Sequence, residues 1–365
     1  MTGRRLSAAL HQWVGLSSGI VLVIIGLTGS ALVFREEIDV ALNAQLMRVE
    51  AAGRTAAVQD IVDAVQQAFP NSRIFSVRMP NRADAVYEFR LDSNSGHRVF
   101  VNPYSGTIIG DRGAYQKLMD LIFYLHSELL AGEIGKTVVG GLALLLLTLL
   151  ATGVVLWWPG WKHVAAGVVI RWRGGPRLIS YDFHKSIGAF AIIFLATAAF
   201  TGLSLVFHSA FERTLNWTTG IPDRAPLPKS TAQSSTARTS LDQILRIADT
   251  ATPGAKTTWV MFPQTAEGPF RVRKRFAEEL HPSGKTLVML DQYSGEVLHV
   301  ENALLAPLAQ RFDHSLYPIH IGQWGGFTSR LLQTFVGVSP LILFVTAWFM
   351  WRGRSQKRKR ITEKY

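Results

Sequence analysis

The chain has 365 residues, is 48% apolar, carries a formal net charge of +12 and contains no cysteine. The missing thiols exclude disulfides, thiolate metal sites, iron–sulfur clusters and covalent haem attachment through Cys-x-x-Cys-His. The length would suit two or three soluble domains, but the apolar residues gather in four runs, each long enough to cross a ~30 Å hydrocarbon core as a helix.

The first run, Val14–Phe34, follows Arg4 and Arg5. It is too long for a signal-peptide core and continues into Phe34-Arg35-Glu36-Glu37 without a small-x-small cleavage site, so a retained membrane helix is expected within 1–35. Residues 36–115 read as an α+β domain. Ala57–Phe69 has helical spacing (Val58, Ile61, Val62, Val65, Phe69) and stops at Pro70. Arg73–Met79, Ala85–Leu91 and Arg98–Asn102 are rich in β-branched and aromatic residues, which predicts strands. A Tyr104-Ser105-Gly106 turn leads into Thr107–Ile109. Residues 116–160 hold His126 and the second run, Val138–Trp158. A basic loop over 161–183 precedes a membrane helix over 184–208 around the third run, Ile187–Phe207. A second α+β domain over 209–310 contains Lys229–Ser240, a Ser- and Thr-rich flexible lead-in. A helix at Leu241–Ala251 follows, ended by Pro253-Gly254, then strands at Thr257–Phe262, Phe270–Phe276 and Thr286–Leu290 and a Tyr293-Ser294-Gly295 turn. Residues 311–352 hold His320 and the fourth run, Leu331–Trp351, and 353–365 form a basic tail.

Charge orients the spans. Arg4, Arg5, the Lys162–Lys185 segment and the tail after Trp351 hold 14 basic residues against only Asp182 and Glu363. The net charge therefore lies on one side, which predicts cytoplasmic termini and two periplasmic domains in a bacterial inner membrane. A nucleic-acid partner is not needed to explain the basicity.

The chain also reads as one unit used twice. His11-Gln12-Trp13-Val14-Gly15 aligns with His184-Lys185-Ser186-Ile187-Gly188, and Thr28-Gly29 and Thr201-Gly202 then recur at identical offsets. His126 precedes Trp157 by 31 residues, as His320 precedes Trp351. The expected fold is a membrane α-helical protein with four transmembrane helices in two parallel repeats, each with an inserted periplasmic α+β domain.

Several motifs resemble the PepSY-associated transmembrane family. They are Leu10-His11-Gln12-Trp13-Val14-Gly15-Leu16, Leu125-His126 leading to Trp157-Trp158-Pro159, Asp182-Phe183-His184, Tyr317-Pro318-Ile319-His320 and both Tyr-Ser-Gly turns. The resemblance covers nearly the whole chain. It implies b-type haem in the membrane and reduction of periplasmic ferric-siderophore, as in iron-regulated membrane proteins and siderophore reductases of the ferrioxamine B type.

The histidines carry that chemistry. His11 and His184 open their helices on the cytoplasmic side, and His126 and His320 precede theirs on the outer side. Haem iron accepts two axial imidazoles from opposite faces, so two haem b groups are expected, on His11 with His184 and on His126 with His320. A histidine near a membrane interface is more often an amphipathic anchor; four at matching positions without cysteine favour ligation. Gly15 and Gly188, one turn after their histidines, read either as room for a flat macrocycle or as close-packing glycines. Gly29 and Gly202 carry the same two readings. His208 and His314 compete for the outer site or for substrate contact. His163 belongs to the cytoplasmic connection, and His97, His281 and His299 read as surface or turn residues. Arg271, Arg273 and Arg275 alternate along one strand face, which is either solvated or a patch for an anionic ferric chelate.

The function expected is an inner-membrane di-haem b ferric-siderophore reductase releasing Fe(II). No nucleotide fingerprint is present, so the electron donor is quinol or a cytoplasmic reductase. Two rivals stand beside it: a non-catalytic PepSY-domain regulator that binds an envelope partner, and a siderophore or iron transporter. Four helices without intramembrane charge make a poor permeation path.

Overall fold

The computed structural model describes residues 3–92, 96–113, 118–222, 226–231 and 239–362, with side chains to Gly353. Most of the lead-in expected at Lys229–Ser240 lies outside the described residues. In chain order the elements are α1 (Gly3–Leu32), α2 (Arg35–Leu42), α3 (Ala44–Met47), α4 (Val58–Ala68), β1 (Ile74–Arg78), β2 (Tyr87–Leu91), β3 (Arg98–Val101) and β4 (Ile108–Arg112). Next come α5 (Leu118–Glu128), α6 (Gly132–Trp157), α7 (Val164–Gly167), α8 (Pro176–Val206), α9 (His208–Thr219) and α10 (Leu241–Ala251). The last are β5 (Lys256–Met261), β6 (Phe270–Arg275), β7 (Thr286–Leu290), β8 (Val297–Glu301), α11 (Leu308–His320) and α12 (Gly326–Thr362). The chain divides into two compact units: residues 1–35, 121–211 and 319–365, and residues 36–120 and 212–318.

In the first unit α1, α6, α8 and α12 are each long and apolar enough to cross a membrane, at the four places where the sequence predicts spans. Both α1 and α8 pack on α6 and on α12. The helices thus form a ring with α1 and α8 at opposite corners. The seam of α1 against α12 is close because Gly26 and Gly337 meet backbone to backbone, with no room for a Cβ on either. Polar groups here find partners across the seam: the Ser30 hydroxyl donates to the Thr334 carbonyl (2.8 Å) and Arg330 to the Val33 carbonyl (2.7 Å). The latter satisfies a carbonyl at the end of α1, where no next turn supplies an N–H.

The second unit is one antiparallel sheet of eight strands in the order β4-β3-β2-β1-β5-β6-β7-β8, with α4 and α10 on one face. Two separate inserted domains were expected; the strands of both join instead through β1 and β5, with Val77 opposite Val260. Each of these would otherwise be an open edge, and pairing removes both edges. β8 has no counterpart among the predicted strands, because Val297–Glu301 is short, at an edge and without a buried side chain.

Alternation decides which side chains enter the core. Val77, Phe89, Val99, Val260, Val272 and Val288 point to the helical layer and are fully buried. A buried side chain of this size contributes about 1.5–3 kcal/mol. Ile61 and Val65 of α4 and Ile244 and Ala248 of α10 cover them. The two helices also cap one another. The Asp242 carboxylate accepts the Val58 and Gln59 N–H groups (3.0 and 2.9 Å), and Gln59 Oε1 accepts the Leu241 N–H (2.8 Å). The Tyr-Ser-Gly turns form as expected, with Gly106 and Gly295 at φ of +69 and +75, a region open mainly to glycine. Asn102 in one turn and Asp291 in the other accept the Tyr and Ser N–H groups that follow them.

Candidate functional site

The four histidines read as ligands all lie in the helical unit and meet in the expected pairs. The ring centres of His11 and His184 are 6.1 Å apart, and those of His126 and His320 are also 6.1 Å apart. His11 is on α1 and His184 on α8, so this pair meets across the ring of helices. His126 and His320 are not on the spans that follow them but on the preceding helices α5 and α11. The break after α5 runs through Leu129 and Leu130, both at positive φ (50 and 58), an unusual backbone for a branched side chain.

All four imidazoles are held by the same device. The Nδ1 of His11 lies 3.1 Å from the Leu149 carbonyl and 3.0 Å from the Thr152 hydroxyl. For His184 the partners are Leu343 and Thr346, both at 3.0 Å. For His126 they are Ile25 at 2.9 Å and Thr28 at 3.3 Å. For His320 the Thr201 hydroxyl is at 2.9 Å, beside the Ala198 carbonyl. Each threonine hydroxyl also spends its own proton on a carbonyl four residues earlier, at 2.7 Å in every case. A carbonyl only accepts, so Nδ1 must carry the proton. Each ring is therefore the Nδ1–H tautomer, and its Nε2 keeps a free lone pair, the form a metal ligand needs.

A glycine makes room for three of the rings. A Cβ at Gly153 would fall 3.2 Å from the His11 ring, at Gly29 2.9 Å from the His126 ring and at Gly202 3.2 Å from the His320 ring. At His184 the corresponding residue is Ala347, next to Thr346. The Thr-Gly or Thr-Ala dipeptides 28–29, 152–153, 201–202 and 346–347 thus seat the imidazoles. Of these, Thr152, Gly153, Thr346 and Ala347 escaped the sequence reading; a Thr-Gly or Thr-Ala dipeptide present in each of the four spans was the available signal. Gly15 and Gly188 are different: an added Cβ would make only ordinary contact, with Leu149 at 3.6 Å and Leu343 at 3.8 Å. Helix packing therefore does not require glycine at either position.

Thr28 follows His11 on α1 by 17 residues, and Thr201 follows His184 on α8 by the same interval. At ~1.5 Å per residue, the two imidazole pairs lie roughly 25 Å apart along the helices. Metal–imidazole bonds of about 2 Å place the centres of two rings on one metal about 6 Å apart. The donors present thus suit a group that takes two axial imidazoles. Among the described residues no cluster of three or more His, Asp or Glu suits a metal held by side chains alone.

The remaining candidates fall elsewhere. His208 begins α9 and belongs to neither pair. His314 is buried in the sheet unit. Arg271, Arg273 and Arg275 do share the β6 face opposite α4 and α10. His97 pairs with Asp111 (2.6 Å) and His299 is exposed, as expected of surface residues. His281, expected as a surface or turn residue, is instead half-buried against the Tyr317 ring at 5.4 Å. It is pushed down to about 3 by burial first, then by Lys285, Arg273, His314 and Arg275. Its ordinary value is 6.5, so below that pH the unfolded chain takes up a proton that the folded sheet refuses. The stability this group contributes is complete above about pH 6.5 and is lost as pH falls toward 3. The His281→Gln variant is expected to flatten the fall in melting temperature between pH 6.5 and 4; parallel curves for the two proteins would refute it.

The family described as PepSY-associated TM region matches residues 8–354, and the chain belongs to that family. No functionally curated protein matches the chain.

Proposed function

We propose that this PepSY-associated membrane protein is a transmembrane electron carrier. It holds two b-type haems and reduces a ferric-siderophore on the far side of the bacterial inner membrane. Each chelated Fe(III) takes one electron and leaves as Fe(II), so a quinol, oxidised to quinone with release of two protons, or a two-electron cytoplasmic reductase serves two turnovers. Ferrous iron is a poorer match for hard oxygen chelators, so reduction releases it. Supporting this reading above all is the doubled imidazole pair with every Nδ1 tied to a threonine-marked carbonyl. The basic ends orient the chain, with both termini cytoplasmic and the sheet unit periplasmic. The recurring helix–domain–helix order reflects two parallel repeats whose histidines are shared between the copies.

When bound, haem supplies one-electron chemistry. The residues of the chain do the rest. His11 with His184 holds one group near the cytoplasmic face, and His126 with His320 holds the other near the outer face. Neutral imidazoles add no charge in lipid. The threonines orient the rings.

The deciding experiment is a reduced-minus-oxidised spectrum of detergent-purified protein with a pyridine haemochrome count. About two b-type haems per chain support the reading. A well-folded but colourless protein, grown with ample haem, overturns it in favour of a regulator that binds an envelope partner. The seating device gives a finer check. Thr201→Val removes an acceptor from the His320 Nδ1–H, whereas Thr201→Ser keeps it. Thr201→Val is expected to shift the midpoint potential of one haem only, with Thr201→Ser close to wild type. Equal potentials in all three proteins would show that the hydroxyl does not tune the ring.

A further inference from the structure

The face of β6 turned away from α4 and α10 holds an arrangement that folding alone does not explain. Phe270 and Val272 enter the core, and the buried Lys274 reaches the Ala248 carbonyl at 3.1 Å and Asp249. On the opposite face stand Arg271, Arg273 and Arg275, all half-buried. The Nε atoms of Arg271 and Arg275 are buried with no hydrogen-bond partner. Arg273 is held below its ordinary range by burial and by the neighbouring Arg271 charge. Lys285 adds to the same field: with Arg273 and Arg275 it is among the positive charges acting on His281. The carboxylate of Glu279 is turned into its own loop, where it accepts the Phe276 and Lys285 N–H groups and the Thr286 hydroxyl.

Gathering like charges while stripping their water costs free energy, and an anion at the surface offsets that cost. The spacing selects the anion. Alternate residues of a strand stand roughly 7 Å apart, so the three guanidinium stems span roughly 14 Å. A single phosphate meets one or two of them; an anion with several carboxylates meets all three, each offering a planar fork of donors. Trp259 lies opposite Arg273 on β5 and Met289 opposite Arg271 on β7, giving the cations an apolar floor that suits a bulky ligand.

We infer that this face of β6 binds a ferric chelate of net negative charge built on carboxylate oxygens, and discriminates against a cationic hydroxamate chelate. The metal in the chelate rests on the reductase reading; the selection by charge rests on the arginines alone. Guanidinium contacts of this kind are screened by salt, and the affinity follows ionic strength.

The test is calorimetric titration of the full-length detergent-purified protein with ferric citrate and, separately, with the cationic complex ferrioxamine B. The expected result is binding of ferric citrate that weakens with added salt and weakens at least tenfold in the Arg271→Gln/Arg273→Gln double variant. The Arg271→Lys/Arg273→Lys variant should retain most of the affinity, which separates lost charge from lost fold. Equal binding of the two chelates, or ferric citrate affinity unchanged by the double variant, overturns the inference. So does capture of phosphatidylglycerol vesicles, abolished by the double variant, in a protein that ignores citrate. A haem-free protein that still binds ferric citrate through these arginines overturns only the reductase reading. A two-haem protein that does not bind it overturns only this one.

Discussion

His11→Ala and His184→Ala are each expected to leave one haem per chain instead of two, and His126→Ala and His320→Ala are expected to remove the other. Losing one axial imidazole halves the protein ligation of a group held by nothing covalent. The pairs lie roughly 25 Å apart along the helices, so each should empty without disturbing its twin. The measurement is the pyridine haemochrome ratio per chain, with a redox titration to identify which centre remains. The variants on one pair should leave the same potential, and those on the other pair the complementary one. His11→Gly is expected to regain its haem when free imidazole is supplied, because the lost ligand is replaced in place. Two haems in every single variant, or complete loss in every folded one, would break the paired assignment.

Asp39→Ala is expected to lower the stability of the sheet unit by about 3–5 kcal/mol. Asp39 and Arg112 are 1% and 6% exposed, and two guanidinium nitrogens meet the two carboxylate oxygens at 3.3 and 3.1 Å. Arg112 also lies over the Phe100 ring at 4.9 Å. Truncating the acid strands a buried charge, which costs more than the pair itself contributes. A double replacement, Asp39→Leu with Arg112→Met, removes both charges and should recover most of the loss. Hydrogen exchange along β3 and β4, beside urea unfolding of the whole protein, reads the effect. A loss below about 1 kcal/mol would place the pair among weak surface contacts instead.

The candidate site was partly legible in the sequence. The recurrence of His11-x-x-x-Gly15 as His184-x-x-x-Gly188 and the equal spacing of His126 and His320 from their tryptophans mark four positions as equivalent. Equivalence suggested how to pair them. It did not say that α1 and α8 stand at opposite corners of the ring, so that their rings meet across its centre. Nor did it say that each imidazole would rest on a threonine of another helix. Thr152 lies 141 residues from His11 and Thr346 lies 162 from His184, beyond the reach of any local pattern.

The sequence by itself determined the four spans, the shared face of the β6 arginines and the two glycine turns. Uncharged runs of about 20 residues mark the spans because charge is expensive in hydrocarbon. Period two along β6 puts Arg271, Arg273 and Arg275 on one side because successive strand side chains alternate. Asn102 and Asp291 announce the glycine turns because their short side chains close on the next N–H groups. These are local effects, settled within a few residues. The tertiary structure alone decided that two α+β segments become one sheet, since only folding brings the open edges of β1 and β5 together. It alone gave each imidazole its tautomer, by setting a carbonyl from a distant helix against Nδ1. It alone placed His281 among cations, because burial and the field of Lys285, Arg273, His314 and Arg275 act through space and not along the chain.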